Sequence, residues 1–308
     1  MPRHDPAHAT GPRNGGDPNA ARPARRAALL TLAGLATAAA LRPRAAAAQP
    51  AFDHGHAAWS ALLARHVRLA ADARSSRVDY AGFAKDRAAL GVYLGTLSAV
   101  SRAQYDGWSK PQQYAFLANA YNAFTVEKIL TRWPDLRSIR DFGRVIGNPW
   151  KDRFFTLLGR LQHLDGIEHE TMRARGVFDE PRVHVAVNCA SIGCPLLDRR
   201  ALDGRSASAL DAQLEDLMRR FLADRSRNRF DPASGTLQLS RIFDWYGEDF
   251  RGGGKSFLGH AGYASVAEVG ARYADLLADR EPDRARLRSG AVTVAFLEYD
   301  WALNATDR

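Results

Sequence analysis

Between Gln112 and Arg132 the chain runs for 21 residues without a glycine or a proline. Tyr114, Leu117, Tyr121, Phe124, Thr125 and Ile129 recur there at the spacing that puts them on one side of a helix. Trp133-Pro134 ends it, because a proline ring disfavours helical backbone in the residue before it. Such a helix is about 30 Å long at 1.5 Å per residue, so it spans a small domain and everything else must pack around it.

Around this rod the pattern is mixed. Ala57 to Leu69 and Ala81 to Leu97 read as helices, as do Ala207 to Ala223 and the stretch carrying Tyr263, Val266, Val269, Tyr273, Leu276 and Leu277. Phe154 to Leu164 reads as a hairpin turning at Gly159, and Asp165 as the start of a helix running through Glu168 and His169 to about Arg173. Arg182 to Cys189 alternates as a strand would, with Val183, Val185 and Val187 on one face and His184, Ala186 and Asn188 on the other. A second hairpin pivots on Asp231-Pro232-Ala233-Ser234-Gly235, and a last strand is expected from Ala291 to Tyr299. Helices and hairpins without a regular βαβ rhythm predict an α+β fold: one domain of several helices on a small, mainly antiparallel sheet.

The first 48 residues differ in character. Up to Pro23 they are polar and rich in Pro and Gly, and they read as a disordered leader. Arg25-Arg26 then precede an apolar stretch to Leu41, and Ala46-x-Ala48 stands before Gln49. That order is expected of a signal peptide, and the paired arginines favour the twin-arginine route to a periplasmic or secreted location. The apolar stretch is shorter than the roughly 20 residues a membrane-crossing helix needs, so no stable span is expected after cleavage. Residues 1–48 carry +5 of the formal +9 charge. The remaining +4 is too dilute for the basic stripe that phosphate backbones require, so nucleic acid is excluded as a partner. The chain has no GxGxxG, no CxxCH and only two cysteines, so no cofactor is expected.

Five blocks of the mature chain resemble domain-of-unknown-function family 547 (DUF547): residues 114–122 (YAFLANAYN), 164–169 (LDGIEH), 182–195 (RVHVAVNCASIGCP), 240–250 (SRIFDWYGEDF) and 296–304 (FLEYDWALN). The resemblance implies an exported bacterial domain over residues 76–304, preceded by an arm and first helix over 49–75, and it implies no reaction.

Candidate chemistry gathers in those blocks. Cys189 and Cys194, five residues apart with Gly193 and Pro195 bending the loop, can form a disulfide in an oxidising compartment. Alternatively Cys189 is the nucleophile of a thiol-dependent hydrolase or acyltransferase. His169 is then the base, with Glu168 and Asp165 beside it, and Asn119 and Asn122 on the long helix orient the imidazole or donate to an oxyanion. His184, at an odd offset from Cys189 along the expected strand, points to the other face. A redox pair and a zinc site using His169 and His184 have spacings that fit no common motif, and His54 and His56 fall in an expected flexible arm. Without catalysis, the same chain would be a binding or scaffold domain with a Cys189–Cys194 disulfide. The aromatic runs Phe243-Asp244-Trp245-Tyr246 and Tyr299-Asp300-Trp301 would then line a groove for a small molecule, peptide or saccharide.

Overall fold

The computed structural model describes residues 51–143, 148–252 and 254–306. The leader, the arginine pair and the expected cleavage site lie outside the described residues. The described residues fall in one compact unit, Pro50–Arg308, of α+β architecture. Among them no helix is long and apolar enough to cross a membrane.

The chain opens with helix α1 (Ala57–His66), which buries Trp59, Leu62 and Leu63. The expected helix stops there, and the next three residues form strand β1 (Val67–Leu69), paired antiparallel with β2 (Ser76–Val78). The arm before α1 is packed rather than flexible: His56 is buried and its Nδ1 lies 2.8 Å from the Tyr93 hydroxyl. The second expected helix is two, α2 (Tyr80–Lys85) and α3 (Arg87–Ser98), which meet at Asp86. Helix α4 (Arg102–Asp106) leads into the central helix α5 (Lys110–Leu130), whose first turn is closed by the Ser109 N–H donating to Gln112 Oε1 at 2.9 Å.

Helix α5 is buried on every side, with Ala115, Ala118, Ala120 and Ala123 as fully covered as the large side chains. The small residues let neighbouring elements approach closely, so the apolar stripe read from the sequence is only part of the contact surface.

Strands β3 (Phe155–Leu157) and β4 (Arg160–Gln162) form the expected hairpin. Leu158 and Gly159 both adopt positive φ (53° and 75°), the tight turn that matches strand twist. Helix α6 (Leu164–Ile167) follows. Its cap is not Asp165 but His163, whose Nδ1 accepts from the Gly166 N–H at 2.9 Å. It widens into a π-turn over Glu168–Met172.

The expected strand from Arg182 is instead a helical turn, α7 (Val183–Ala186). Val183, His184, Val185 and Ala186 are all buried, so alternation carries no information about faces here. The backbone after α7 finds its partners on a side chain rather than a neighbouring strand: the Asn188 N–H donates to Asn122 Oδ1 at 2.8 Å, and Asn122 Nδ2 donates to the Ala186 carbonyl at 2.9 Å.

Helix α8 (Ala207–Ala223) has the expected bounds and is capped by Ser206. A three-stranded sheet closes the unit in the order β5 (Arg229–Asp231), β6 (Thr236–Ser240), β7 (Thr293–Leu297). β5 and β6 are the second expected hairpin, while β7 joins β6 in parallel after a helical crossover. That crossover contains α9 (Ile242–Trp245), α10 (Gly247–Phe250), α11 (Val266–Arg272), α12 (Ala274–Leu277) and α13 (Glu281–Arg288). The C-terminal segment then returns to the cysteine loop, where the Ile192 and Gly193 N–H groups donate to the Ala302 and Asp300 carbonyls at 2.8 and 2.9 Å.

Candidate functional site

Where α5, the Glu168 turn, α7, the cysteine loop, α9 and the C-terminal segment converge, they leave a cleft of about 210 Å³. Glu168, His169, His184 and Asp165 line its floor, and Trp150, Trp245, Tyr246, Tyr299 and Trp301 its walls. A larger cavity of about 680 Å³ lies across Tyr299, but the histidines and buried carboxyls of the cleft do not line it.

Cys189 and Cys194 are joined as a disulfide in the cleft wall. The Tyr299 hydroxyl lies 3.1 Å from both sulfurs, and the Cys189 N–H donates to Cys194 Sγ at 3.1 Å. Gly193 is required beside them because a Cβ there would stand 2.8 Å from the Tyr299 ring. Among the described residues neither histidine hydrogen-bonds Cys189. Its sulfur contacts are Tyr299 and, at 3.6 Å, Ser191 Oγ.

The two imidazoles have other partners. Arg173 Nη1 lies 2.7 Å from His169 Nδ1, and a guanidinium can only donate, so Nδ1 must offer its lone pair and the ring hydrogen sits on Nε2. Nε2 faces Asp165 Oδ1 at 3.6 Å. Burial, with the Arg173 charge adding to it, lowers the His169 pKa to about 4. His169 is therefore a neutral donor with its lone pair taken, which leaves it poorly equipped to deprotonate a thiol. His184 is buried, and with Tyr246 stacked on its face at 4.2 Å it directs Nε2 to Asp249 Oδ2 at 2.7 Å. Burial lowers its pKa as well, opposed by Asp249. Since α7 is helical, His184 reaches the same cleft as Cys189, which an extended strand would have prevented.

Glu168 is the least compensated group. It is 7% exposed, and its only ion-pair distances among the described residues are the long ones to His169 Nδ1 (3.8 Å) and His184 Nδ1 (3.9 Å). Burial raises its pKa from 4.5 to about 7 despite a hydrogen bond from the Tyr121 hydroxyl. Asp165 is raised too, again by burial. Asp249 is held low by His184 and Arg173, which outweigh its own desolvation.

Asn119 and Asn122 lie outside this cleft. Asn119 exchanges two hydrogen bonds with the Leu202 backbone (2.9 and 3.0 Å), and Asn122 is committed to Ala186 and Asn188. Both asparagines tie the central helix to loops and neither lines the cleft, so neither stands where it would orient the His169 imidazole or meet an oxyanion. Asn122→Ala is expected to cost about 2–3 kcal/mol, because it strands a buried N–H and a buried carbonyl; a shift in the urea unfolding midpoint measures it. Tyr121, Arg173 and Asp249 are site residues that the sequence reading does not single out, whereas Tyr246 belongs to an aromatic run expected to line a groove. The one local signal was the i, i+4 spacing of His169 and Arg173; Asp249 is brought in from 65 residues after His184.

No curated protein and no solved structure matches the chain. The family model described as "Protein of unknown function, DUF547" matches residues 105–222, which take in the first three of the five sequence blocks and leave the last two beyond them. Over that stretch, which holds the central helix, the Glu168 turn and the cysteine loop, the chain is similar to the DUF547 family.

Proposed function

We propose that the protein binds a small ring-shaped ligand in this cleft, with Cys189–Cys194 as a strap that fixes one wall. The observation that carries this reading is the aromatic mouth over a polar floor. Trp245 is 44% exposed and lies 5.6 Å from Trp301 at an interplanar angle of 27°, with Tyr299 and Trp150 against the same Trp301. An exposed indole beside buried hydrogen-bonding groups suits a saccharide, whose C–H face stacks while its hydroxyls find polar partners. The cleft is smaller than the roughly 300–1,000 Å³ of sites for drug-sized ligands, so one sugar unit is the fitting size. The disulfide supports the exported, periplasmic or secreted reading, since such bonds persist in oxidising compartments.

Titration with glucose, galactose, xylose and N-acetylglucosamine, followed by tryptophan fluorescence, is expected to give saturable quenching with at least one of them. Trp245→Ala is expected to weaken it at least about tenfold, the loss of a stacking anchor. Absence of quenching with all four sugars would remove this reading.

Thiol-dependent catalysis is the second reading, favoured by one fact: Cys189 shares the cleft with His169 and His184. It needs the disulfide reduced, so iodoacetamide should label Cys189 only after reductant, and Cys189→Ser should abolish any activity that reductant uncovers. Free thiols in the untreated protein, counted by mass spectrometry, would favour this reading over a permanent strap.

A further inference from the structure

We infer that the Cys189–Cys194 disulfide exchanges with thiols that enter the cleft and oxidises them, with Cys189 as the sulfur attacked and Cys194 as the sulfur released. This activity goes beyond the saccharide-binding reading and does not depend on it. Both cysteines line the cleft, yet they are unequally placed. Cys189 is partly exposed, whereas Cys194 is 5% exposed. An incoming thiolate therefore meets Cys189 first.

The surroundings suit the charge that such an exchange leaves on Cys194. Its Sγ accepts from the Cys189 N–H and from the Tyr299 hydroxyl, each at 3.1 Å. Burial raises the pKa of that hydroxyl, so it remains a donor. Hydrogen bonds to a charged acceptor are roughly twice as strong as neutral ones, so both donors gain when Cys194 becomes a thiolate. A better stabilised thiolate is also a faster leaving group. The Arg227 guanidinium hydrogen-bonds the Cys194 carbonyl and brings a positive group to the same turn, with Asp224 sharing its charge. On the other sulfur, Cys189 Sγ lies 3.1 Å from the Tyr299 hydroxyl and 3.6 Å from Ser191 Oγ.

The loop has its shape fixed by bonds other than the one between the sulfurs. Asn188 Oδ1 accepts from the Ala190 N–H at 2.9 Å, Asn188 Nδ2 donates to the Pro195 carbonyl at 2.7 Å, and the Cys194 N–H donates to the Ser191 carbonyl at 3.1 Å. From the C-terminal segment, the Asn304 N–H donates to the Ala190 carbonyl at 3.0 Å, beside the bonds that Ile192 and Gly193 make to Ala302 and Asp300. A bridge between residues only five apart closes a short loop, the kind that stabilises least. Opening it leaves both sulfurs and their donors in place.

In the first step a substrate thiolate attacks Cys189 Sγ. A mixed disulfide forms as the Cys189–Cys194 bond breaks, and the electron pair leaves on Cys194 Sγ. A second substrate thiolate then attacks the substrate sulfur of the mixed disulfide, and Cys189 leaves as the thiolate. The two cysteines take up from solvent the protons that the two substrate thiols released. One protein disulfide is thus reduced to two thiols, and two substrate thiols are oxidised to one disulfide.

The test uses the purified oxidised protein with an excess of reduced glutathione, quenched at intervals with N-ethylmaleimide and mapped by mass spectrometry. Early samples should carry glutathione on Cys189 and maleimide on Cys194, and later ones maleimide on both, with one oxidised glutathione formed per protein. Tyr299→Phe should shift the equilibrium with a glutathione redox buffer towards the protein disulfide by at least about tenfold, the loss of a hydrogen bond to a charged group. A loosened loop would shift it the other way, so the sign separates lost thiolate stabilisation from lost structure. Glutathione on Cys194 in place of Cys189, or a pair that reacts only once urea has unfolded the protein, overturns the inference. So does an equilibrium that Tyr299→Phe leaves unchanged or moves towards the dithiol.

Discussion

Glu180→Ala should lower the stability of the protein by about 3–5 kcal/mol, because it leaves a buried guanidinium without its main counter-charge. The Arg182 side chain is 1% exposed, and it meets Glu180 in a two-pronged pair, Nε to Oε1 at 2.7 Å and Nη2 to Oε2 at 2.8 Å. Asp211 adds a second contact to Nη2 at 2.7 Å but is half exposed, so it cannot replace Glu180. Arg182 is the residue immediately before α7, so the same loss should loosen the turn that presents His184. Urea unfolding measures the first effect. Replacing the pair together by Leu should cost much less than the single change, since both charges leave the interior at once. A single-variant cost below about 1 kcal/mol would contradict the buried pair.

The second large effect is a gain. Glu168→Gln should stabilise the protein at pH 8 by up to about 3 kcal/mol and leave it unchanged near pH 4. The sign follows from the direction of the shift. A carboxyl whose folded pKa lies near 7, against 4.5 when unfolded, binds more protons folded than unfolded between those values. Its contribution is therefore intact below pH 4.5 and is lost as pH rises towards 7 and beyond. Glutamine keeps the shape and never ionises, so the difference between variant and parent should open across that window. His169 acts in the opposite sense, since its pKa falls to about 4 and its contribution is lost as pH drops from 6.5. Comparing Glu168→Gln with the parent at each pH cancels that term. Urea midpoints at pH 4, 6 and 8 check it; a constant difference would mean that Glu168 is ionised throughout. A stabilising substitution in a cleft is also what a functional carboxyl predicts, because such a group is kept against the interest of stability.

The parts of the fold legible in the sequence are those whose signals are local. The 159 hairpin is set by backbone that tolerates positive φ, the 231–235 hairpin by its turn residues, and α8 by its Ser206 cap and clean amphipathic spacing. The end of α5 was marked by Trp133-Pro134. The α7 segment was misread for a physical reason. Val183, Val185 and Val187 are alternating and β-branched, but every residue from 183 to 186 is buried, so period two distinguishes nothing. What decided between strand and helix was Asn122, 64 residues before Ala186, which takes the hydrogen bonds a neighbouring strand would have taken.

The same division holds for the site. The chain's own chemistry determined that Cys189 and Cys194 lie close enough to pair, that Glu168 and His169 share one short helical segment, and that aromatic runs flank two acidic positions. Only the tertiary structure decided which of these act together. It turned His184 into the cleft through a helical turn, withdrew Asn119 and Asn122 to hold loops, and gave the hydrogen bonds of Arg173 to His169 and Asp249, so that among the described residues Glu168 has no arginine or lysine at ion-pair distance. Burial and charge pairing are properties of neighbours distant in sequence, and a proton's position depends on both.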